Sequence, residues 1–430
     1  AEMPMTSDQV IWSEQNRLHV AYKGVTVTNG TGNFNMSVAL NITAAENPSL
    51  NGAIRVGQTI LLSDSATGLI TQKALVQAVT STDATNTNDI LEVTLYETTQ
   101  ALFPTALEVA GGVNVFVYGA EFAKGTTGMV GSIEPNFTQF SNSPIIIKDK
   151  YEINGSDTAQ IGWVEVATED GTSGYLWYLK SESETRLRFE DYLEMAMIEG
   201  ELMSNVGATQ PVFAGGTSVI KGTEGLFAAI EQRGNVYSGF SGAAAPGAGA
   251  MGDFDAILQN LDKQGAIEEN MLFLSRSTAL DFDDMIGAMA GGGFASTASA
   301  SYGLFDNEAE MALNFGFSGF RRGSYDFYKT DWKYLNDAST RGLDKEIDGV
   351  LVPAGTSTVY DQMLGSNIRR PFLHVRYRAS ETEDRRFKNW ITGSVGGAYT
   401  SDLDAMSVHF LSERCLVTQA ANNFVLFKGA

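Results

Sequence analysis

Apolar residues recur at helical spacing along one long stretch, Ser181 to Gly207. Phe189, Leu193, Ala196 and Met203 share a stripe, and Met195, Ile198 and Leu202 widen it toward the C-terminal half. Ser181 with Glu184 reads as a capping box, and Glu182 adds negative charge at the positive end of the helix dipole. Glu182–Arg186 and Glu184–Arg188 have i,i+4 spacing in the acid-first order, and Gly207 reads as the stop. About 25 residues at 1.5 Å rise give a rod of roughly 35–40 Å. Its first half is charged around most of its circumference and its second half is largely apolar. Such a rod is expected to lie across a surface with one end solvated.

Elsewhere the period is different. Residues 1 to about 17 show no periodicity and read as an arm. From Val20 to Phe122, Thr, Asn, Val and Gly dominate and no helical pattern occurs. Strands are expected at Gln58–Leu62, Leu69–Ala78, Ile90–Tyr96 and Val113–Tyr118, with turns at Asn29-Gly30, Asn51-Gly52 and Gly111-Gly112. This predicts a small all-β module, a barrel or a sandwich, against the alternative of a loop-rich extension of the next domain. Ile145–Ile147 and Ile161–Val166 read as the two strands of a long hairpin that feeds through Tyr175–Tyr178 into the helix. A two-stranded hairpin is marginal alone, so it is expected to lie on a neighbouring copy and to be dispensable for folding. Residues 223–364 mix helices (Glu224–Gln232, Phe254–Gln264, and Thr278–Met289 capped by Thr278 and Asp281) with short apolar strands at Met271–Leu274 and Gly349–Pro353. The tail returns to β at Phe372–Tyr377, Phe387–Ile391, Met406–Leu411 and Val417–Phe427.

Composition narrows the function. The chain has 430 residues, 43% of them hydrophobic, enough for two or three packed units. No run of about 18 apolar residues occurs, and no secretory leader is expected; the start at Ala1 fits either loss of Met or trimming. The net charge of −22 repels nucleic acid and anionic lipid. Cys415 alone excludes an internal disulfide framework, and His19, His374 and His409 lack ligand spacing. Asp281, Asp283 and Asp284 open a helix, where acids are favoured without a metal. No phosphate loop, dinucleotide fingerprint or nucleophile elbow appears, so no catalytic residue, cofactor or metal is assigned. Basic residues gather instead at Arg321-Arg322, Arg369-Arg370, Arg376, Arg378, Arg385-Arg386 and Lys388. They read either as solvated strand edges or as inter-subunit partners for acidic surface.

The stretch QIGWVEVATEDGTSGYLWYLKSESETRLRFEDYLEMAMIEGEL (Gln160–Leu202) resembles the E-loop and spine helix of the major capsid proteins of tailed double-stranded DNA phages, the Hong Kong 97-like fold. NMLFLSRSTALDFDDMI (Asn270–Ile286) resembles a strand and helix of that family's axial domain, and DAMSVHFLSERCLVTQAANNFVLFK (Asp404–Lys428) its closing strands. The resemblance covers roughly Ile133 to the end and is nearest to crAss-like and related short-tailed phages. It implies an α+β fold: arm 1–17, inserted β-module 18–128, E-loop 129–180, spine helix and peripheral domain 181–222, axial domain 223–366, peripheral strands and C-terminal return 367–430. It implies a non-enzymatic subunit of pentamers and hexamers, assembled in the host cytoplasm into a virion. Portal, scaffold and decoration proteins would be its partners, with packaged DNA held without sequence-specific binding. The N-terminus lacks the long charged helix of a fused scaffold. Some members crosslink Lys to Asn; Lys148 and Lys150 lie in the E-loop range, but no motif supports that chemistry. Candidate inter-subunit residues are Glu182, Glu190, Asp191, Glu194, Lys148, Lys150, Arg321, Arg322, Arg369, Arg370, Arg385 and Arg386. A nanocompartment shell of the same fold, an extracellular carbohydrate-active enzyme and a tail or baseplate protein are the alternatives.

Overall fold

The computed structural model describes residues 1–15, 21–28, 37–42, 54–80, 89–96, 107, 112–131, 137–159, 166–167, 173–174, 177–203, 220–238, 249–265, 267–282, 318–343, 346–361, 366–395, 397 and 399–429. Strands dominate these residues, in mixed sheets with few helices. The chain forms two compact units, one of Ala1–Trp12 with Phe140–Ala430 and one of Ser13–Gln139. The expected arm is strand: β1 (Glu2–Met5) and β2 (Val10–Gln15). It shows no period because β1 is short and β2 alternates around Val10 and Trp12 only.

The Ser13–Gln139 unit is a closed barrel in the order β3 (Ala21–Thr28), β4 (Ser37–Ile42), β7 (Asp89–Leu95), β6 (Thr71–Thr80), β5 (Gln58–Asp64), β8 (Val113–Ala120). Alternate residues point inward: Ile60 and Leu62, Ala74 and Val76, Leu91 and Val93, Val113 and Val115, closed by Tyr22, Val25 and Ile54. Four of its strands lie where the alternation predicts them. Leu69, expected inside β6, is instead exposed in the β5–β6 turn, held by Asp64, whose carboxylate accepts from the amides of Ala66 and Thr67. The other two strands carry no clean alternation in sequence.

In the other unit, β9 (Phe137–Asn142) pairs with β2, and β10 (Ile145–Asn154) runs straight into the main sheet. Here the hairpin expectation fails. All ten residues of β10 pair antiparallel with β22 (Ala405–Thr418), from Ile145↔Arg414 to Asn154↔Ala405. Removing this strand would open the core, so the segment is not dispensable. The reason is burial: Ile147, Tyr151 and Ile153 have the far side of β22 to pack with. Residues 161–165 lie outside the described residues; a one-turn helix, α1 (Gly155–Thr158), and a two-residue ladder of β11 (Val166–Ala167) with β12 (Ser173–Gly174) follow β10. β20 (Leu373–Arg378) and β21 (Lys388–Gly393) line the opposite edge of β22, and β1 adds in parallel to β20, so the sheet ends at β1 and β10. The two tail strands expected at Met406–Leu411 and from Val417 are one 14-residue strand and a short β23 (Val425–Lys428).

The long helix, α2, spans Trp177–Glu199, starting a turn before Ser181 and ending before Gly200. Ser181 is therefore inside the helix, its carbonyl accepting from the Thr185 hydroxyl at 2.9 Å, and the expected capping box does not form. What stops the helix is a backbone crossing. A Cβ on Gly200 would lie 2.6 Å from the Ala196 carbonyl and 2.7 Å from that of Thr223, and one on Gly225 would lie 2.6 Å from the Gly200 nitrogen. Only paired glycines admit the 2.8 Å bond from Gly225 N–H to Gly200 O, at the start of α3 (Leu226–Arg233). Met203, expected in the apolar stripe, is exposed beyond this crossing, and Gly207 lies outside the described residues.

A six-stranded mixed sheet completes this unit, in the order β13 (Asn235–Ser238), β23, β17 (Ile347–Pro353), β14 (Glu269–Leu274), β16 (Tyr325–Asp331), β15 (Ser318–Arg322). α4 (Gly249–Gln264) and helical residues 276–282 cover one face through Phe254, Ile257, Leu261 and Phe282, and α3 with Trp332 and Phe424 belongs to the cluster on the other. Ser275, not Thr278, occupies the cap of the second helix; its hydroxyl accepts from the Thr278 amide at 3.4 Å. Asp283 and Asp284 lie outside the described residues. A separate two-stranded ribbon, β18 (Thr356–Asp361) with β19 (Ser366–Pro371), leads into β20.

Candidate assembly surfaces

α2 lies on one face of the β10–β22–β21 layer. Thr185, Phe189, Leu193 and Met197, each four residues on, are buried. Phe189 stacks on Phe410 at 5.8 Å between centroids and meets the edge of Phe387 at 5.5 Å, with Ile153, Met406 and Val408 around them. The opposite ridge is Glu184, Leu187, Asp191 and Glu194, all exposed, with Leu187 58% accessible. Glu184 meets Lys180 at 3.8 Å and Glu190 meets Arg186 at 3.1 Å, whereas Arg188 leaves the helix for Asp149 of β10 at 3.0 Å. The two expected acid-first pairs are thus replaced by Lys180–Glu184, Arg186–Glu190 and a helix–strand bridge. Among the described residues, Asp191 and Glu194 have no basic group within 4.0 Å. Glu182 is half-buried at the start of the helix.

On β10, Lys148, Lys150 and Glu152 alternate outward on the face away from α2, with Lys150 bonded to Glu152 at 2.7 Å. Beside them His409 stacks on Trp390 at 5.1 Å and shares a 2.8 Å hydrogen bond with the Thr392 hydroxyl.

Most tail arginines are engaged inside the chain. Glu413, almost fully buried, takes Arg378 at 3.0 Å and Arg385 at 2.9 Å, and Arg378 also reaches Asp8. Arg386 pairs with Glu2 and covers the Tyr377 ring, tying β1 to the sheet. Buried Arg414 donates to the Ser412 hydroxyl at 3.0 Å and to the Arg386 carbonyl at 3.1 Å; burial pulls its pKa down. Arg322 meets Asp255 at 2.6 Å and Arg321 meets Asp326 at 3.4 Å. Cys415 is wholly buried with Met5, Val10, Trp12 and Val417, and burial pushes its thiol up to about 12, so it is unreactive at neutral pH.

No protein-family model matches this chain, and no curated protein does. Solved structures do. A chain of Microbacterium phage Oxtober96 is 9% identical over all of this chain and 89% of its own length, with a TM-score of 0.36. A chain from the asymmetric unit of the bacteriophage PhiM1 mature capsid is 9% identical over 73% of this chain and 79% of its own, with a TM-score of 0.37. The capsid of the cyanophage P-SCSP1u gives 9% identity over 73% of this chain and 80% of its own, with a TM-score of 0.34.

Arg369, Arg370 and Arg376 differ from the other tail arginines. Arg369 is exposed on β19, Arg370 is half-buried beside it, and Arg376 is half-buried on β20. None has a carboxylate within 4.0 Å among the described residues, and the buried Nε of Arg370 makes no hydrogen bond. His374 lies between them in a fixed tautomer: Nδ1–H donates to the Pro371 carbonyl at 3.0 Å, so Nε2 accepts from Arg376 Nε at 3.4 Å. Burial first, and then the neighbouring Arg376, Arg370 and terminal amine, hold its pKa down at about 4.

A buried network that sequence reasoning missed sits where β9 enters this unit. Glu224 and Arg233 pair at 2.6 Å, each with a side chain at most 15% exposed. Arg233 also lies over Phe140 at 4.6 Å and Trp12 at 5.6 Å. Asn142 donates to the carbonyls of Glu224 and Leu416 and accepts from the Glu224 amide at 2.8 Å. Burial raises the Glu224 pKa, opposed by Arg233. No sequence signal pointed to this network; the signal in β22, where Ser412-Glu413-Arg414 interrupts an apolar run, belongs to the Glu413 cluster with Arg378 and Arg385. Among the described residues no helix is long and apolar enough to cross a membrane.

Proposed function

We propose that this chain is a major capsid subunit of a tailed phage with the Hong Kong 97-like organisation. In this reading α2 is the spine helix and the barrel is an insertion; the E-loop, expected over 129–180, is narrowed to 155–176 because Ile145–Asn154 belongs to the main sheet, and the six-stranded sheet belongs to the axial domain. The observation that supports it best is the layer of β10, α2 and β22. It joins, within one core, the stretches around Gln160–Leu202 and Asp404–Lys428 that resemble the family. The exposed acidic ridge of α2 and Arg369, Arg370 and Arg376, which have no carboxylate within 4.0 Å among the described residues, then serve as contact surfaces between copies in pentamers and hexamers. Lys148 and Lys150 are further contact candidates. Glu182 and Glu190 would line the same helix; Arg321, Arg322, Arg385 and Arg386 contribute mainly by fixing the unit's shape through internal pairs. Portal, scaffold and decoration proteins and packaged DNA are the partners this role calls for, in a virion assembled in the host cytoplasm.

The test is negative-stain microscopy with sedimentation velocity on the overexpressed full chain, with and without a co-expressed scaffold protein. Rings, shells or tubes are expected. A chain that stays monomeric across salt and concentration, folded by its melt, would overturn the reading.

A further inference from the structure

Within one chain, five arginines show how this sequence treats a half-buried guanidinium: it supplies an acid. Arg233 has Glu224, Arg322 has Asp255, Arg341 has Glu199 and Glu346, and Arg378 and Arg385 share Glu413. Arg414, deeper still, is satisfied by a carbonyl and a hydroxyl. Arg370 and Arg376 break the pattern. They lie near enough to each other that Arg370, after burial, lowers the pKa of Arg376. The only hydrogen bond Arg376 makes among the described residues is to a neutral imidazole, and the Arg370 Nε makes none. In a chain of net charge −22, two adjoining cations partly stripped of water, with no acid within 4.0 Å among the described residues, are costly unless an anion completes them.

We infer that Arg370 and Arg376 form a carboxylate-binding site at the base of the β18–β19 ribbon, and that its occupant is the α2 ridge of a second copy of this chain, entering with Asp191 and Glu194. The inference rests on the shell reading above and names the partner within it. Three observations select this occupant. Asp191 and Glu194 are exposed carboxylates with no basic group within 4.0 Å among the described residues, so the two surfaces are complementary in charge. They follow Leu187 along the ridge, an apolar residue left 58% exposed beside them, as the centre of a protein contact requires. The site and the ridge are on different elements, so each copy can offer one and receive the other, an arrangement that closes into rings when the rotation permits. A nucleic-acid phosphate offers the same anion chemistry, but the surrounding charge of the chain opposes a polyanion. A guanidinium fork holds a carboxylate through two parallel hydrogen bonds, which fixes register as well as sign.

The experiment is charge reversal on the full chain, read by sedimentation velocity at low and high salt, with melts to confirm folding. Arg370→Glu and, separately, Asp191→Arg with Glu194→Arg are each expected to weaken self-association by about tenfold or more. Combining them is expected to restore it. Where Arg370→Glu lowers the melt, Arg370→Gln replaces it, with a smaller loss expected. A folded Arg370 variant that associates like the parent, or a combination that restores nothing, overturns the inference while leaving the shell reading in place. A parent that never associates overturns both. Fluorescence anisotropy with a DNA duplex of about 20 base pairs separates the other anion. Parent binding that is lost in Arg370→Gln/Arg376→Gln would reassign the site to phosphate and overturn the carboxylate.

Discussion

The barrel and the helix-bearing unit solve the same problem to different degrees of completion. The barrel closes β3 onto β8, so it has no sheet edge, and among the described side chains its core is filled by alternating apolar residues of β3, β5, β6, β7 and β8. The helix-bearing unit leaves two sheets open, one ending at β1 and β10 and the other at β13 and β15. It also carries an apolar residue on an acidic helix ridge and two half-buried arginines with no acid partner among the described residues. Closed barrels are finished as monomers, while open edges and uncompensated charges are features that proteins otherwise hide. In the proposed assembly, this difference would place the contacts between copies in the helix-bearing unit and leave the barrel as a passenger.

The strongest way to break that comparison is to damage one core and watch the other. Phe189 fills the space between α2 and the sheet, so Phe189→Ala is expected to cost the helix-bearing unit about 3–5 kcal/mol. Ile60→Ala in the barrel is expected to cost about 2–5 kcal/mol there. Calorimetry of the full chain should show each substitution moving a different transition. A common shift from either one would make the two units a single cooperative block.

A second cut falls on the Glu224–Arg233 pair. Arg233→Met keeps the aliphatic contact with Phe140 and Trp12 but strands a buried carboxylate, and about 3 kcal/mol of stability is expected to go. Glu224→Leu with Arg233→Met removes both charges and is expected to be close to the parent. If the double substitution is as damaging as the single, the pair is not a charge-compensation device and its geometry matters in itself.

The elements legible in the sequence were those stabilised locally. β5 to β8, α3, α4, β14 and β17 announce themselves by alternation or helical period, because one face of each meets one core. What stayed hidden was set by distant partners. β10 reads plainly as a strand, yet nothing near it says that its partner lies some 260 residues on in β22. β22 was read as two strands because Ser412-Glu413-Arg414 looks like a turn, while in the fold those side chains are buried and bonded. The start of α2 was masked by Leu176-Trp177-Tyr178, an aromatic run that favours strands, and by a capping signal at Ser181 that the helix overrides. Its end was masked because a glycine crossing leaves no polar signature. For the candidate surfaces, charge was visible and pairing was not: six tail arginines look alike until Glu413 and Glu2 are seen to take three of them.

Acid provides a third, smaller perturbation that should touch only one unit. His374 is neutral in the fold, with its pKa held at about 4 against 6.5 for a free imidazole. Between those values the unfolded chain takes up a proton that the folded chain refuses, so stability falls as pH drops from about 6.5 and levels off near 4. The loss from this group is on the order of 2–3 kcal/mol. Chemical denaturation at pH 7 and pH 4.5 should show the helix-bearing unit losing more stability in the parent than in His374→Gln. An identical loss in both would mean that other groups carry the acid sensitivity. The barrel's transition is expected to be the same in parent and variant at each pH.

The smallest effect probes whether the barrel is as self-contained as its closure implies. Gly57, just before β5, sits at φ +89° and donates its amide to the Val76 carbonyl at 3.0 Å, while its carbonyl accepts from the Glu121 amide at 2.9 Å. It therefore links the start of β5 to the middle of β6 and the end of β8 through a backbone that L side chains adopt at a cost of roughly 1–2 kcal/mol. A Cβ there would also lie 2.5 Å from the Phe122 ring, which is partly exposed and free to swing outward. The strain is thus mainly backbone, and Gly57→Ala should lower the barrel's transition by about 1–2 kcal/mol. Self-association should be unchanged, because nothing in the barrel's closure depends on another copy. If this substitution weakens association while the helix-bearing unit melts as in the parent, the barrel contributes contacts of its own. Association would then belong to both units.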